Sequence, residues 1–357
     1  MEFHRTEWTV WRVNVRVLFY VTLMIAGTTP AEEMQFEVSA TKYLMGTLVE
    51  IKAMHPNVEA CRTSFYHAFH EMERVEHLLS SHLPESEIAR INAHASEYPV
   101  KVSAETFAIL ERAIHYAEQT NGLFDVTIGV LSKRWGFSGE DEITLPYPEE
   151  IEPLRAKVDY HQLDLNAADT TVAFAIPGMQ IDLGGIAKGY AIDRAAATLR
   201  EQGITDFLIN AGGDIYASGF KFEDQRWVIG IKHPRQPEAL LAKLEITNSA
   251  IATSGDYERY TIIDDIRYHH ILDPRTGYPA RQCQSVTVLA PTAETADVMA
   301  TFFFVVGDSL LSIHPKPEYP YLRIDESGNV HLDSTLVHDY HLEFFPTQQT
   351  YQTQKSP

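Results

Sequence analysis

A carboxylate and a hydroxyl one helical turn apart form the most informative residue pair in this 357-residue sequence. Asp297 and Thr301 are four positions apart in a segment with helical periodicity, so both side chains are on one face. Two hard oxygen donors suit Mg²⁺, which takes few protein ligands and shares its coordination shell with phosphates. Ordinary roles remain open, because such an Asp can serve the helix dipole and such a Thr can bond back to the helix.

A glycine-containing turn is the second candidate. Residues 182–193 read DLGGIAKGYAID, and the pattern predicts a strand at 179–183 that turns through Gly184 and Gly185 into a helix from Ala187 to about Gln202. Glycines let a ligand approach the backbone, and free N–H groups at a helix start favour phosphate. The spacing matches neither familiar nucleotide loop, and a tight turn without a ligand explains the same residues.

Two further loops carry polar groups. Residues 269–279 read HHILDPRTGYP, in which His270 is suited to take a proton from a hydroxyl near neutral pH. Asp273 either orients this histidine or, as the sequence favours, initiates a turn, while Arg275 either meets a phosphate or caps the loop. Residues 210–214 (NAGGD) connect two predicted strands, and a hairpin turn explains them without a function.

The composition bounds the class of protein. Hydrophobic residues make up 45% and charged residues 22%, which is typical of a folded chain with a substantial core, and no linker divides it into two domains. The net charge of −20 has no basic footprint within it, so nucleic acid is a poor partner. The two cysteines, Cys61 and Cys283, either pair or remain as buried thiols.

Helical and strand-like stretches alternate irregularly. This favours an α+β single domain with mixed, largely antiparallel sheets and flanking helices over strict βαβ units. Residues 138–170, rich in Pro and acidic residues, are expected to form a surface excursion. Helices are predicted at 58–79, from a cap at Ser103 to Gly122, and from about Thr292; strands at 207–209, 214–217, 227–231, 243–247, 250–253 and 285–289.

The N-terminus has the order of a signal peptide. A basic stretch precedes an 11-residue apolar run at 17–27, too short to span a membrane, and small residues follow up to Ala31. We therefore expect a leader at 1–31, a domain at 32–345 and a loose polar tail at 346–357, in an exported, periplasmic or extracytoplasmic protein. A buried N-terminal helix is the alternative. No cysteine near the apolar run offers a lipid anchor.

Taken in order, these segments resemble the FAD:protein FMN transferase (ApbE-like) family. The resemblance spans about residues 43–307. Its motifs are residues 45–47 (MGT), 86–92 (SEIARIN), 124–127 (FDVT), 182–193, 210–214, 270–277 (HILDPRTG) and 294–301 (ETADVMAT).

The resemblance implies an ApbE-like fold with FAD in a cleft and Mg²⁺ at its pyrophosphate. The implied metal ligands are the Asp297 carboxylate, the Thr301 hydroxyl and the Gly185 carbonyl. The family moves FMN from FAD to a Thr or Ser of an acceptor, typically a membrane-bound redox protein, and releases AMP. The residues implied to contact FAD are Met45, Leu123, Phe124, Asp125, Asp182, Lys188 and Ile271.

Elementary chemistry agrees with this interpretation. Mg²⁺ acts as a Lewis acid on a pyrophosphate, and an acceptor hydroxyl needs a base, for which His270 is the candidate. An FAD pyrophosphatase that uses water and a non-catalytic FAD carrier are the alternatives. The sequence departs from the family where His82 stands at an often aromatic position, and it contains no acceptor motif for self-modification. Membrane proximity would come through the acceptor.

Overall fold

The computed structural model describes residues 12–16, 35–137, 143–313, 317–346 and 353–355. The helices are α1 (Val58–Leu79), α2 (Glu87–His94), α3 (Ala104–Gln119), α4 (Gly129–Trp135), α5 (Pro148–Arg155), α6 (Ala187–Glu201), α7 (Ala293–Val306), α8 (Leu310–Ile313) and α9 (Thr335–His338). Short 3₁₀ turns lie at Tyr160–Gln162 and Gly307–Ser309. Across this part of the chain, no helix combines the length and the apolar character needed to cross a bilayer.

The strands are short and numerous. In the first half they are β1 (Arg12–Arg16), β2 (Phe36–Leu44), β3 (Thr47–His55), β4 (Val100–Lys101), β5 (Leu163–Asn166), β6 (Thr171–Phe174), β7 (Phe207–Ala211), β8 (Asp214–Ser218) and β9 (Trp227–His233). In the second half they are β10 (Gln236–Ile246), β11 (Ser249–Gly255), β12 (Tyr260–Ile263), β13 (Ile266–His269), β14 (Leu272–Asp273), β15 (Tyr278–Pro279), β16 (Cys283–Ala290), β17 (Tyr321–Asp325), β18 (Val330–Leu332), β19 (Glu343–Phe344) and β20 (Thr353–Lys355).

Ten of these strands form the main sheet. Its order is β1-β2-β3-β7-β8-β11-β16-β17-β18-β20, and its neighbours pair antiparallel except β20, which runs parallel to β18. A second sheet of order β19-β10-β9 is also antiparallel. The expected α+β class with largely antiparallel sheets and flanking helices is confirmed.

The two faces of the main sheet are covered differently. On one face α1, α6 and α7 pack over a large core that includes Ile51, Phe65 and Val288. On the other face, Leu208 and Leu322 pack against Leu244 of the small β9-β10-β19 sheet. The main sheet is therefore the middle of three layers. Because both of its faces are covered, a ligand can reach its backbone at the strand ends and turns.

Local signals explain the helix boundaries. The Asn57 side chain accepts from the Ala60 N–H at the start of α1, and the Ser103 side chain accepts from the Thr106 N–H at the start of α3. The Thr292 side chain does the same for the Thr295 N–H in α7. These helices, and α6, begin where the sequence predicts.

The prediction of a strand at 179–183 is wrong. Gln180 makes only an isolated bridge to Ile128, and the segment enters no sheet. The Asn92 side chain bonds both the N–H and the carbonyl of Ile181, and the Asp182 N–H donates to the Val126 carbonyl. Because the backbone is paired in this way, the extended segment needs no neighbouring strand.

The surface excursion expected at 138–170 is only partly correct, with residues 138–142 outside the described part. Ile151 of α5 is buried with Trp135 and Leu272 in a small core of its own, and Leu163 of β5 is buried in the main core. A few apolar side chains hold an otherwise polar segment against the core, because each is almost fully buried and burial of its apolar surface is stabilising.

The two termini lie mostly outside the described residues. Within the expected leader, Arg12–Arg16 pairs with β2, and within the expected tail, Thr353–Lys355 pairs with β18. The boundaries at 31/32 and 345/346 stay predictions. Cys61 and Cys283 are both buried, unpaired thiols.

Candidate functional site

The site is built where the start of α6 meets the middle of α7. The Asp182 carboxylate accepts from the Gly184 N–H at 2.9 Å and closes the turn that leads into α6. A Cβ placed on Gly185 would lie 3.1 Å from the Phe124 ring and 3.6 Å from the Thr301 Oγ1. The turn therefore brings the backbone of Gly185 beside a hydroxyl 116 positions later in the chain.

Helix α7 supplies the carboxylate and the hydroxyl. The Asp297 side chain is 7% exposed, and its Oδ2 accepts from the Gly189 N–H at 3.1 Å. Thr301, one turn later, has its Oγ1 3.3 Å from the Ser254 Oγ at the end of β11. Both side chains thus face α6 and the strand ends.

A half-buried aspartate links α7 to α6. The Asp193 carboxylate accepts from the N–H groups of Ala293 and Glu294, the first residues of α7. A methyl group on Gly189 would meet the Ala293 carbonyl oxygen at 2.3 Å, so the helices are in backbone contact there. The spacing within α7 fixes the position of Asp297 relative to Thr301. The contacts of Asp193 and Gly189 with α7 fix the positions of both residues relative to Gly185.

Charges are concentrated in this region. The Lys188 Nζ lies 2.7 Å from the Asp214 Oδ2. Burial lowers the pKa of Lys188, but Asp214 and Asp297 outweigh it and hold the pKa above its ordinary value. Burial, followed by the nearby Asp214, raises the pKa of Asp297, since a second negative charge there is costly. A divalent cation would relieve that cost.

The oxygens available fit Mg²⁺. One carboxylate, one hydroxyl and one backbone carbonyl are hard donors, and Ser254 adds a hydroxyl next to Thr301. In the part of the chain that the structure describes, no three His, Cys, Asp or Glu side chains converge on one point. That excludes neither the implied set nor its ion, because Mg²⁺ keeps several waters and needs few protein ligands.

His270 follows β13 directly. Its N–H donates to the Arg259 carbonyl, which prolongs the β12-β13 ladder by one bond. The ring is partly accessible, yet burial, and then the neighbouring His269 and Lys188, lower the pKa of His270 to about 3. The imidazole is therefore neutral near pH 7 and has a lone pair available.

The neighbouring His269 has a structural role. It is 4% exposed, its Nε2 is 2.6 Å from the Ala280 carbonyl oxygen, and its Nδ1 accepts from the Ile271 N–H. His269 thereby holds Ile271, which is buried in the main core. Of the two adjacent histidines, only His270 is accessible to a substrate.

The loop after α3 carries three of the residues implied to contact FAD. Leu123, Phe124 and Asp125 are each less than 8% exposed. The Asp125 carboxylate accepts from the Thr127 N–H and hydroxyl and from the Tyr160 N–H. Since those bonds occupy the carboxylate, a ligand would meet this loop mainly through its backbone and the Phe124 ring.

Met45 stands at the tip of the β2-β3 hairpin. Its φ of 52° is unusual for a residue with a side chain, and its N–H donates to the Glu76 Oε1 at 2.9 Å. The adjacent Thr47 lies against Gly212, so this tip borders the β7-β8 turn that leads to Asp214. Met45 is therefore placed through Glu76, a residue that the sequence motifs did not indicate.

The loop from Asp273 to Gly277 is a turn, as the sequence favours. The Asp273 carboxylate accepts from the Arg275 N–H and pairs with its guanidinium at 2.7 Å. Trp135 donates its indole N–H to the Gly277 carbonyl at 2.9 Å. Arg275 is thus held by Asp273, which favours the loop-capping alternative over a phosphate contact.

Sequence reasoning read two polar residues at this site only as parts of turns. Asp214 pairs with Lys188, and Ser254 approaches Thr301. Asp214 ends the 210–214 segment, whose glycines already pointed to a close backbone approach, but nothing in the sequence indicated its partner. Ser254 has no signal of its own beyond standing next to a glycine.

Solved structures identify the class of protein. A TM-score of 0.77 at 36% identity relates the chain to the ApbE protein of Thermotoga maritima, over 82% of this chain and 96% of that one. The flavin transferase ApbE from Vibrio cholerae gives 0.73 at 33% identity, over 82% and 94%. The fold is that of the ApbE flavin transferases.

The family assignment follows from the sequence matches. Residues 45–315 match the model of the ApbE family. A FAD:protein FMN transferase of Treponema pallidum is 34% identical over 83% of this chain and 85% of its own length. One of Vibrio cholerae is 34% identical over 85% and 90%. This chain belongs to the ApbE family, a family of transferases.

Proposed function

We propose that this protein is an Mg²⁺-dependent FAD:protein FMN transferase, which attaches FMN by a phosphoester bond to a Thr or Ser of an acceptor protein and releases AMP. The observation that carries the proposal is that the backbone of Gly185 lies beside the Thr301 hydroxyl, while Asp297, one turn earlier on α7, accepts from the Gly189 N–H of α6. The names of the relatives support flavin transfer; the metal, the leaving group and the acceptor residue are our inference.

In the proposed reaction, the acceptor hydroxyl oxygen attacks the phosphorus of the FMN half of FAD. A P–O bond forms to the acceptor, the bond between the FMN phosphorus and the bridging oxygen breaks so that this oxygen leaves with AMP, and the hydroxyl proton goes to His270. Mg²⁺, held by Asp297, Thr301 and the Gly185 carbonyl, would neutralise charge on the two phosphates. Lys188 adds a fixed positive charge beside them.

His270 is neutral but weakly basic before substrate binds, because its surroundings hold its pKa near 3. The arriving pyrophosphate adds negative charge close to the ring. Negative charge favours the imidazolium, so the pKa of His270 rises towards the range in which a general base is effective. The base would therefore be strengthened only when FAD is bound.

The substrate would lie between the hairpin tip and the α6 turn. Met45, Leu123, Phe124, Asp125, Asp182, Lys188 and Ile271 are the residues proposed to contact FAD. Phe124 already packs beside Gly185, which places an aromatic ring next to the proposed metal ligand. The acceptor is proposed to be a redox protein with a Thr/Ser flavinylation motif, near a membrane through its own anchor.

The decisive experiment combines the protein with FAD, Mg²⁺ and a peptide or domain bearing a Ser/Thr-Gly-Ala-Thr sequence, and follows acceptor mass and AMP release. An FMN-sized mass gain, with one AMP per transfer and loss of both in Asp297→Ala, supports the proposal. AMP and free FMN without acceptor gain would replace the transferase by a pyrophosphatase. Bound, intact FAD would leave a carrier.

We also propose export to the periplasm or another extracytoplasmic compartment. The basic, apolar and small-residue order of residues 1–31 supports this. Sequencing the N-terminus of the protein recovered from cells tests it: a start near residue 32 is expected, and an intact Met1 in the cytoplasmic fraction would contradict it.

A further inference from the structure

Asp214 is a buried carboxylate to which the proposed reaction gives no role. It is the first residue of β8, directly after the Gly212-Gly213 turn, and is 3% exposed. Its Oδ1 accepts from the Thr253 N–H at 3.3 Å, and its Oδ2 lies 2.7 Å from the Lys188 Nζ. A carboxylate buried this deeply is stable only when it is paired.

Three carboxylates act electrostatically on Lys188, those of Asp214, Asp297 and, most weakly, Glu258. Both Asp214 and Asp297 favour its charged form. Within the described residues, its ion pair is with Asp214, while the Asp297 Oδ2 accepts from the Gly189 N–H instead. The lysine is thus held by the carboxylate that is not among the proposed metal ligands, which leaves Asp297 available to a cation.

We propose that Asp214 is a positioning residue that holds the Lys188 ammonium at a fixed place for the pyrophosphate of FAD and keeps it from pairing with Asp297. The inference rests on the proposed function, because it takes Lys188 as a phosphate contact and Asp297 as a metal ligand. It assigns different roles to two aspartates that sequence spacing does not distinguish: Asp214 would position Lys188, and Asp297 would bind the cation.

The physical reason lies in the lysine side chain. An ammonium on a flexible four-carbon stem has many positions, and fixing it on ligand binding costs affinity. Asp214 removes that cost before FAD arrives. After Asp214, Asp297 is the carboxylate with the largest electrostatic effect on Lys188, and a Lys188–Asp297 pair would compete with the cation for the same oxygens.

Positioning and simple charge predict opposite results for Asp214→Asn. Removing a negative charge near a site for an anion makes its Coulomb energy more favourable, so charge alone predicts FAD binding a few-fold tighter. Positioning predicts binding about tenfold weaker, because the ammonium is no longer preset. Riboflavin has no phosphate, so its affinity should not change under positioning.

The experiment measures FAD and riboflavin dissociation constants by flavin fluorescence in the full-length protein, with EDTA and with a Mg²⁺ series. The variants are Asp214→Asn, Lys188→Met and the double substitution. We expect the first two each to weaken FAD about tenfold and the double substitution to weaken it no further, since both act through one contact. Additive losses, or FAD bound as tightly by Asp214→Asn, would overturn the inference.

The Mg²⁺ series separates positioning from direct coordination. If Asp214 only holds Lys188, Asp214→Asn raises the half-saturating Mg²⁺ concentration in the parent protein but not in the Lys188→Met background. A rise that persists without Lys188 would make Asp214 a metal ligand and overturn the inference.

Thermal unfolding of each variant shows whether it folds. If Asp214→Asn does not fold, Asp214→Ser replaces it, because a hydroxyl can still accept from the Thr253 N–H. Failure of the proposed function gives a different result from failure of the positioning role, because the parent protein itself would then bind no FAD or transfer no FMN. A parent that binds FAD together with an insensitive Asp214 variant would refute the positioning role alone.

Discussion

Substituting Gly189 by alanine tests whether the α6-α7 contact holds the site together. A Cβ at this position would lie 2.3 Å from the Ala293 carbonyl oxygen, 2.6 Å from the Ala293 carbonyl carbon and 2.7 Å from the Glu294 Cα. All three are backbone atoms that cannot rotate away. Since ordinary contacts are about 3.5 Å, the helices must separate by roughly 1 Å.

Two opposing effects decide the stability of Gly189→Ala. Alanine inside a helix gains up to about 1 kcal/mol over glycine, whereas overpacking a well-packed contact costs about 1–3 kcal/mol or more. Because the overlap is with backbone, we expect the cost to win and the free energy of unfolding to fall by about 1–2 kcal/mol. The larger effect is on the site, since Asp297 and Thr301 move with α7.

A displacement of about 1 Å in a catalytic arrangement costs on the order of 100-fold in rate. We therefore expect Gly189→Ala to transfer FMN about 100-fold more slowly and to need more Mg²⁺. Gly230→Ala is the matched control, because the three atoms nearest to its Cβ all belong to the flexible Leu240 side chain, in the small sheet. A folded Gly189→Ala protein with a rate within threefold of the parent would refute this reasoning.

Three further predictions concern protonation, thiols and an ion pair. The pKa of His270 in the free protein is lowered to about 3, so its base form persists above that pH. We therefore expect kcat/KM for FAD, which reports the free enzyme, to have the same pH dependence around pH 6.5 at saturating Mg²⁺ in the parent and in His270→Gln. Burial raises the pKa of Cys61 and of Cys283 to about 11, so an aromatic disulfide reagent at pH 8 should titrate no thiol in the native protein and two after denaturation. Arg112→Met should lower the free energy of unfolding in urea by about 2 kcal/mol by leaving the buried Glu294 carboxylate unpaired, and adding Glu294→Gln should recover part of that loss.

The sequence predicted features that depend on a few neighbouring residues. Periodicity placed Asp297 and Thr301 on one helix face, and the Ser103 cap marked the start of α3. The turn role favoured for Asp273 also followed from local residue types.

What the sequence did not predict depends on contacts between distant segments. The Glu76–Met45 and Lys188–Asp214 pairs join separate elements, and no period or spacing encodes them. The false strand at 179–183 has the same origin, because the bonds that satisfy this backbone come from Asn92, 89 positions earlier. Local propensity describes what a segment can do, whereas partners elsewhere in the chain decide what it does.

The bond from the Gly189 N–H to Asp297 has a consequence for how the protein acquires its activity. It spans 108 positions, and the strands from β7 to β16 lie within that loop. Contacts of such sequence separation form late, after much chain entropy has been lost. The proposed metal and flavin contacts would therefore form only after the chain between α6 and α7 has folded, so a partly folded chain should be inert towards FAD, and bound ligand should slow unfolding of the domain rather than of one segment.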